Sequence, residues 1–224
     1  MKLNYFKESL KFIESAGTSR GVLLDKPSWI FYIDEDPLIR GECSIIPGLS
    51  PDYINDEQYE GKLRSVCEIF NTLILKEDQN VVLSFLCVEL KEFPSILFGL
   101  ETTIYNWNLK GNVDAFKSGF SKGDQGILIN GLIWMGTVDN MLDQLEQKVG
   151  DGYQIIKLKI GAIEFNKEFN ILKAIRNQYG QDIEIRVDAN GAFEAHQIRA
   201  VLSKLKEQKV HSIEQPIQKG NWKL

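Results

Sequence analysis

The chain has 224 residues, with 26 Lys and Arg against 31 Asp and Glu, a net charge of −5, and 43% hydrophobic residues. This composition is typical of a folded globular protein and excludes disordered and collagen-like chains, and its acidic balance argues against nucleic-acid or membrane partners. The longest apolar stretch, residues 81–90, falls far short of the ~20 residues that cross a bilayer, and the N-terminus lacks the uncharged core of a signal peptide. We therefore expect a cytoplasmic protein.

Cysteine and histidine content limits the kinds of metal and redox sites. Three cysteines, Cys43, Cys67 and Cys87, are odd in number and widely spaced, which favours reduced thiols over a disulfide framework or a zinc site. Only two histidines accompany them. A cluster of His and Cys ligands is therefore not expected.

The first half of the chain predicts strands followed by helices. Segments rich in β-branched and aromatic residues, separated by breaks at 25–27 and 34–37, predict an antiparallel meander over 20–24, 28–33 and 39–45. Apolar residues at three- and four-residue steps, and a proline suited to a first helical turn, then predict helices over about 59–74, 82–91 and 94–105. We expect an α+β domain over residues 1–118.

The second half alternates between strand and helix. Strands are predicted at 126–135, 153–160, 183–188 and 211–214, and helices at 138–149, 164–178 and 194–208. Because strands that alternate with helices pair in parallel, we expect an α/β domain with a parallel sheet over residues 119–224.

One face of each of these strands carries polar or charged side chains. Side chains alternate across a strand, so Lys157 and Lys159 share one face while three aliphatic residues share the other. A doubly wound sheet would be apolar on both faces, whereas a (β/α)8 barrel has its active site at the carboxyl ends of its strands. Lys159, Asp188 and Glu214 lie at those ends. The second domain is therefore predicted to be a partial TIM-like barrel of about four strand-helix units.

Each motif taken singly has an ordinary structural explanation, since Lys-x-Lys is usually a solvated strand face and Asp-Ala-Asn-Gly is usually a turn. Their conjunction at one end of three successive strands favours a functional site, because two inward lysines need carboxylates, a metal or an anionic substrate nearby. The carboxylates in turn suit a hard divalent cation. Trp134 and Met135 end the first of the four strands, where contact with substrate and packing are both open.

The motifs of successive strands resemble those of the enolase superfamily, in its muconate-lactonizing subgroup. They are Lys157-Leu158-Lys159, Arg186-Val187-Asp188-Ala189-Asn190-Gly191 and Ser212-Ile213-Glu214-Gln215-Pro216. Segments 18–21, 41–43 and 47–52 are similar to the capping domain of that superfamily, and the whole is most similar to its o-succinylbenzoate synthases.

The resemblance implies abstraction of a proton α to a carboxylate of a small substrate, which such sites achieve with a lysine or histidine base and Mg²⁺. Lys159 would be the base, with its pKa lowered by Lys157 and the cation, and Lys157 would lie against the substrate carboxylate. Asp188 and Glu214 would bind Mg²⁺, with Mn²⁺ as an alternative.

Further roles follow from the same resemblance. Asn190 and Arg186 would support the metal ligands from inside the barrel. Ser19 and Arg20 would contact substrate, and loops at about 15–21 and 46–53 would close over it.

The implied reaction is dehydration of 2-succinyl-6-hydroxy-2,4-cyclohexadiene-1-carboxylate to 2-succinylbenzoate, a step of menaquinone biosynthesis. Racemases of N-succinylamino acids and dipeptide epimerases share the barrel motifs and form the alternative. The superfamily also has a third carboxylate ligand and a further lysine across the barrel mouth, on strands beyond Leu224. We therefore expect either the N-terminal part of a lyase, with essentially no turnover by these 224 residues alone, or a non-catalytic fold or oligomerization module. Homo-oligomers are compatible with both.

Overall fold

The computed structural model describes residues 2–18, 21–110 and 116–221, with the side chains of residues 14–18 and 21 outside that description. The chain divides into two compact units, of which one comprises Met1–Ile13 and Leu24–Gly126 and the other Glu14–Leu23 and Ile127–Leu224. Among the described residues, no helix combines the length and apolar character that crossing a membrane requires.

The first half of the chain forms a three-stranded sheet followed by three helices, which agrees with the predicted α+β order. The sheet has the order β1-β2-β3. The elements are β1 (Leu3–Thr18), β2 (Gly21–Ile33), β3 (Asp36–Ser44), α1 (Asp56–Leu73), α2 (Gln79–Glu89) and α3 (Pro94–Asn108).

Alternation along β2 builds the core of this unit. Trp29, Phe31 and Ile33 have no exposed surface and lie on one face of the strand, while β2 pairs antiparallel with β3, Trp29 opposite Cys43. The sheet approaches α3 closely through two glycines. A Cβ at Gly41 would lie 1.9 Å from the carbonyl oxygen of Gly99, so a larger residue there would force sheet and helix apart.

Two predictions for the strands of this half were wrong. The break at 25–27 does not exist, because β2 runs through it and pairs with β3 only from Ser28 onward. Pro27 therefore lies where no hydrogen bond to β3 is required, a position in a strand that tolerates proline. The predicted loop at 15–21 was also wrong in its bounds, since β1 extends to Thr18 and β2 begins at Gly21, while residues 19–20 lie outside the described residues.

The second half of the chain forms a parallel four-stranded sheet, as predicted, with the order β4-β5-β6-β7 and a helix after each of the first three strands. Within the described residues these strands form an open sheet, a partial TIM-like barrel. The elements are β4 (Gly131–Ile133), α4 (Val138–Gly150), β5 (Ile155–Lys159), α5 (Phe165–Tyr179), β6 (Glu184–Asp188), α6 (Ile198–Glu207) and β7 (Ser212–Glu214).

The helices cover one face of this sheet only. Ile156 and Leu158 of β5 and Ile185 and Val187 of β6 are buried in a core that α4, α5 and α6 complete. Two predicted bounds were wrong. The first strand is limited to Gly131–Ile133 because the preceding apolar residues 127–129 are exposed, and α6 begins at Ile198 rather than at 194 because turns precede it.

Candidate active site

Strand register brings the predicted site residues into two layers on the uncovered face of the second sheet. In one layer Leu132 lies beside Lys157, Lys157 beside Arg186, and Arg186 beside Ser212. In the next layer, at the carboxyl ends, Lys159 lies beside Asp188 and Asp188 beside Glu214. Motifs that are far apart in the chain therefore meet because the strands are parallel and in register.

Asp188 lies at the centre of the site. Its side chain is only 3% exposed, and its Oδ2 accepts a hydrogen bond from Lys159 Nζ at 3.0 Å and lies 3.3 Å from Lys157 Nζ. Its Oδ1 accepts the backbone N–H of Asn190 at 3.1 Å. Both oxygens of a buried carboxylate are thus compensated, as burial of such a charge requires.

The charges of the site shift one another's pKa. Burial raises the pKa of Asp188, but the hydrogen bond and charge of Lys159, with help from Asn190 and Lys157, outweigh it, and the pKa lies below its ordinary value. Burial lowers the pKa of Lys157, yet its hydrogen bond to Glu214 and the charge of Asp188 outweigh that effect, and the net shift is upward. In this arrangement Lys157 links the carboxylates of Asp188 and Glu214.

The turn after β6 contributes Asn190 to the site. Asn190 and Gly191 have φ angles of 47° and 80°, in the left-handed region that asparagine and glycine tolerate. This turn directs the Oδ1 of Asn190 to Lys159 Nζ at 3.0 Å, while the N–H of Gly191 donates to the carbonyl of Gln215 after β7. Asn190 therefore contacts the predicted base directly as well as the predicted metal ligand.

One predicted site residue that the structure describes, Arg186, is not brought to this centre. The Arg186 side chain donates to Glu184 at 2.7 Å and to Asn130 at 3.3 Å, on the layer below Asp188. Ser19 and Arg20, the predicted substrate contacts, lie outside the described residues.

Two side chains that the sequence analysis did not single out support this site. Glu168, on α5, accepts the backbone N–H groups of residues 161–163, in the loop directly after Lys159. Gln144, on α4, bonds the backbone of Trp134, just after β4. Glutamine and glutamate on amphipathic helices carry no signal in a single sequence that distinguishes such contacts from ordinary surface positions.

The donor chemistry of the site suits a hard cation, although its ligand set is small. Asp188 and Glu214 present carboxylate oxygens from adjacent strands, and Mg²⁺ prefers oxygen ligands. The described residues contain no group of three or more His, Cys, Asp or Glu that could hold a metal. Two carboxylates are thus what this part of the chain offers.

Cavities alone do not locate the site. A cavity of 630 Å³ lies at the opposite, amino-terminal ends of the strands, lined in part by Tyr153, Ile155 and Glu184. A cavity of 530 Å³ lies at the carboxyl ends, beside Gly161 and Asn190. The second is lined by Asn190, which contacts Lys159 and Asp188, and the carboxyl ends are the usual place of barrel active sites.

Comparison with known proteins identifies the family. A family model described as enolase C-terminal domain-like matches residues 140–223. The o-succinylbenzoate synthase of Desulfotalea psychrophila is 39% identical over 247 residues, covering 99% of this chain and 66% of the synthase. The chain belongs to the enolase superfamily. The chain spans 66% of the length of that synthase.

Solved structures of enolase-superfamily proteins agree with the fold. MenC from Desulfotalea psychrophila matches with a TM-score of 0.75 at 32% identity, over 100% of this chain and 66% of that chain. A dipeptide epimerase from Cytophaga hutchinsonii, solved with Mg and the dipeptide D-Ala-L-Val, gives a TM-score of 0.76 at 18% identity, over 97% of this chain and 59% of its own. At that identity the second match concerns the fold alone.

Proposed function

We propose that this chain provides the capping domain, residues 1–118, and the lysine-bearing part of the active site of an o-succinylbenzoate synthase, a carbon-oxygen lyase of menaquinone biosynthesis. The observation that carries the proposal is the convergence of Lys157, Lys159, Asp188 and Glu214 on one sheet face, in a chain 39% identical to such a synthase over nearly its whole length.

Lys159 is the proposed base. Its side chain is 14% exposed and ends beside Asp188 and Asn190, so it is fixed by two partners and largely shielded from water. Removal of a proton α to a carboxylate requires the neutral amine of this lysine. The same group, once protonated, can return the proton to the departing hydroxyl, so that water leaves and the ring of 2-succinylbenzoate becomes aromatic.

Asp188 and Glu214 are the proposed ligands of Mg²⁺, with Mn²⁺ as a substitute. When bound, the cation would supply positive charge next to the carboxylate oxygens on which negative charge develops. Lys157 lies between the same two carboxylates and is the proposed contact for the carboxylate of the small substrate, whose growing charge its ammonium offsets.

The 39% identity to an o-succinylbenzoate synthase favours dehydration over epimerization. Inversion at a carbon needs an acid and a base on opposite faces, whereas dehydration can use one group for both proton transfers. Both lysines of the site among the described residues come from β5 and share one face, so they supply one side of the site in either reaction. Dipeptide epimerases and N-succinylamino acid racemases are the second candidate, because the resemblance of the strand-end motifs implies these reactions as well.

The test is the dehydration of 2-succinyl-6-hydroxy-2,4-cyclohexadiene-1-carboxylate, followed by the absorbance of the aromatic product. Because the chain spans 66% of the Desulfotalea synthase, the assay uses both the 224-residue chain and a fusion that adds the part of that synthase which it does not match. We expect Mg²⁺-dependent turnover in the fusion and its loss in Lys159→Ala, together with loss of substrate α-proton exchange.

Lys206→Ala is the matched control, since Lys206 is an exposed lysine on α6, away from the strand ends. It should retain the activity of the unmodified protein. Turnover that survives Lys159→Ala would refute the assignment of the base. Faster epimerization of a dipeptide, or racemization of an N-succinylamino acid, than dehydration would replace the proposed reaction with the second candidate.

A further inference from the structure

The layer that contains Lys159 has a fourth member, from β4. Ile133 of β4 pairs with Leu158, and the next residue, Trp134, therefore lies beside Lys159 on the same sheet face. The Nζ of Lys159 lies 5.8 Å from the centroid of the Trp134 ring. This distance is within the range of a cation–π contact, for which tryptophan is the best partner.

Trp134 is held at this place by a side chain of the following helix. Gln144 Oε1 accepts the backbone N–H of Trp134 at 2.8 Å, and Gln144 Nε2 donates to the carbonyl oxygen of the same residue at 3.3 Å. The amide thus satisfies both backbone groups of a residue that lies just beyond β4. Such a residue would otherwise be free to leave the layer, because β4 has only three residues.

The Gln144 amide that holds Trp134 is itself fixed in orientation. Its Nε2 also donates to Asn140 Oδ1 at 2.7 Å, which sets the orientation of the amide. A Cβ at Gly136 would lie 2.6 Å from the same Asn140 oxygen. The glycine in this turn therefore leaves room for the Asn140 side chain, which a larger residue at position 136 would displace. A chain of contacts therefore runs from α4 through Trp134 to Lys159.

The partners of Lys159 lie on two sides. Asp188 and Asn190 hold its ammonium from β6 and the turn that follows, and the Trp134 ring covers it from the β4 side. Without the ring, the flexible lysine side chain would have open space on that side and more rotamers to occupy.

We propose that Trp134, held by its hydrogen bonds to Gln144, is a positioning residue that keeps the Lys159 side chain against Asp188 and Asn190. The consequence for catalysis rests on the proposed function, in which Lys159 is the base. The contact itself belongs to the folded chain and can be measured without any activity.

The direct test is NMR on the 224-residue chain labelled with ¹³C-lysine, in which the ε-methylene signal of Lys159 is assigned by its loss in Lys159→Arg. The signal should be shifted upfield by the indole ring. Trp134→Leu should move it toward the signals of exposed lysines such as Lys206, whereas Trp134→Phe, which keeps an aromatic face, should preserve much of the shift. Gln144→Leu should also reduce it.

An internal control is available in the same unit. Lys148 lies 5.5 Å from the ring centroid of Tyr153, and its signal should stay in place in every Trp134 and Gln144 variant, which shows that the fold is intact. A Lys159 signal that does not move in Trp134→Leu while Lys148 is also unchanged would overturn the proposal.

Kinetics separates this inference from the proposed function. In the active fusion, Trp134→Leu should lower kcat by up to roughly 100-fold, the cost of misplacing a catalytic group by about 1 Å, with KM nearly unchanged and recovery in Trp134→Phe. An unchanged kcat would refute the positioning role even if the ring contact is present. Absence of synthase activity would refute the proposed function and leave the NMR result to decide the placement of Lys159.

Discussion

Glu168 offers the sharpest test of how the loop after Lys159 is held. The residue is 2% exposed and lies in the first turn of α5. Oε1 accepts the N–H groups of Gly161 at 2.8 Å, Ala162 at 3.3 Å and Ile163 at 3.4 Å, while Oε2 is buried without a hydrogen-bond partner. One charged oxygen thus organises three backbone donors.

The expected cost of Glu168→Ala follows from these distances. Only the Gly161 contact has the length of a good hydrogen bond, and the other two are long enough to count as weak. Glu168→Ala leaves the N–H of Gly161 without this acceptor, and a buried donor left without a partner costs about 1–3 kcal/mol. We therefore expect Glu168→Ala to lower the free energy of unfolding by about 2 kcal/mol, measured by urea titration.

The pH dependence gives a second, independent readout. Burial raises the pKa of Glu168 above its ordinary value of 4.5, although the hydrogen bonds from residues 161–163 oppose the shift. The folded state therefore holds the Glu168 proton more tightly than the unfolded state does. The resulting contribution to the free energy of unfolding is complete below pH 4.5 and is lost as the pH rises through the higher folded-state pKa. Glu168→Gln keeps an oxygen for Gly161 and carries no charge, so its stability relative to the unmodified protein should rise over that window.

Glu164→Gln is the control for both measurements, since Glu164 lies in the same loop and is exposed. Its free energy of unfolding should stay within about 0.5 kcal/mol of that of the unmodified protein. If Glu168→Ala is as stable as Glu164→Gln, and the relative stability of Glu168→Gln does not change with pH, the account of the loop is refuted.

Two further substitutions test local contacts, one within each unit. Gly161→Ala should lower the free energy of unfolding more than Gly152→Ala does. Both glycines have a φ near +90°, but only at position 161 would a Cβ meet another residue, the Ala192 Cβ at 2.3 Å. Equal urea midpoints of the two variants would contradict this steric argument. Asp52→Ala removes the carboxylate that accepts both the N–H and the hydroxyl of Ser95 at the start of α3, and thermal unfolding should show a loss of about 1–2 kcal/mol, which Asp52→Asn should partly restore.

The parts of the fold that the sequence predicted correctly are those in which local pattern and burial agree. In β5 the alternation of lysine and aliphatic residues matches the half-buried strand, so both the element and the inward face of Lys157 and Lys159 could be inferred. β1 was missed for the opposite reason. Residues 6–13 of this strand are exposed, and the face with Phe6, Leu10 and Phe12 is interrupted by Glu8. The hydrogen bonds of this strand to β2 are not visible in the composition of the sequence.

The same reasoning explains which site contacts were foreseen. Asp188 and Glu214 occupy equivalent strand ends, so the parallel repeat places them together without any knowledge of side-chain contacts. Gln144 and Glu168 act on backbone groups in loops, and such contacts depend on the path of each loop between strand and helix. Arg186 shows the limit of alternation, because it shares a face with Asp188 yet pairs with Glu184, two residues away on the same face.

The pairing of charges in the site also decides which substitutions report on function. Asp188 Oδ2 is close to two ammonium groups, Lys159 at 3.0 Å and Lys157 at 3.3 Å. In Lys159→Ala the buried carboxylate would keep Lys157 and the N–H of Asn190, so the cost of an unpaired buried charge does not arise. Asp188→Ala would instead remove a partner that both lysines share. Lys159→Ala is therefore the variant in which loss of activity can be separated from loss of folding.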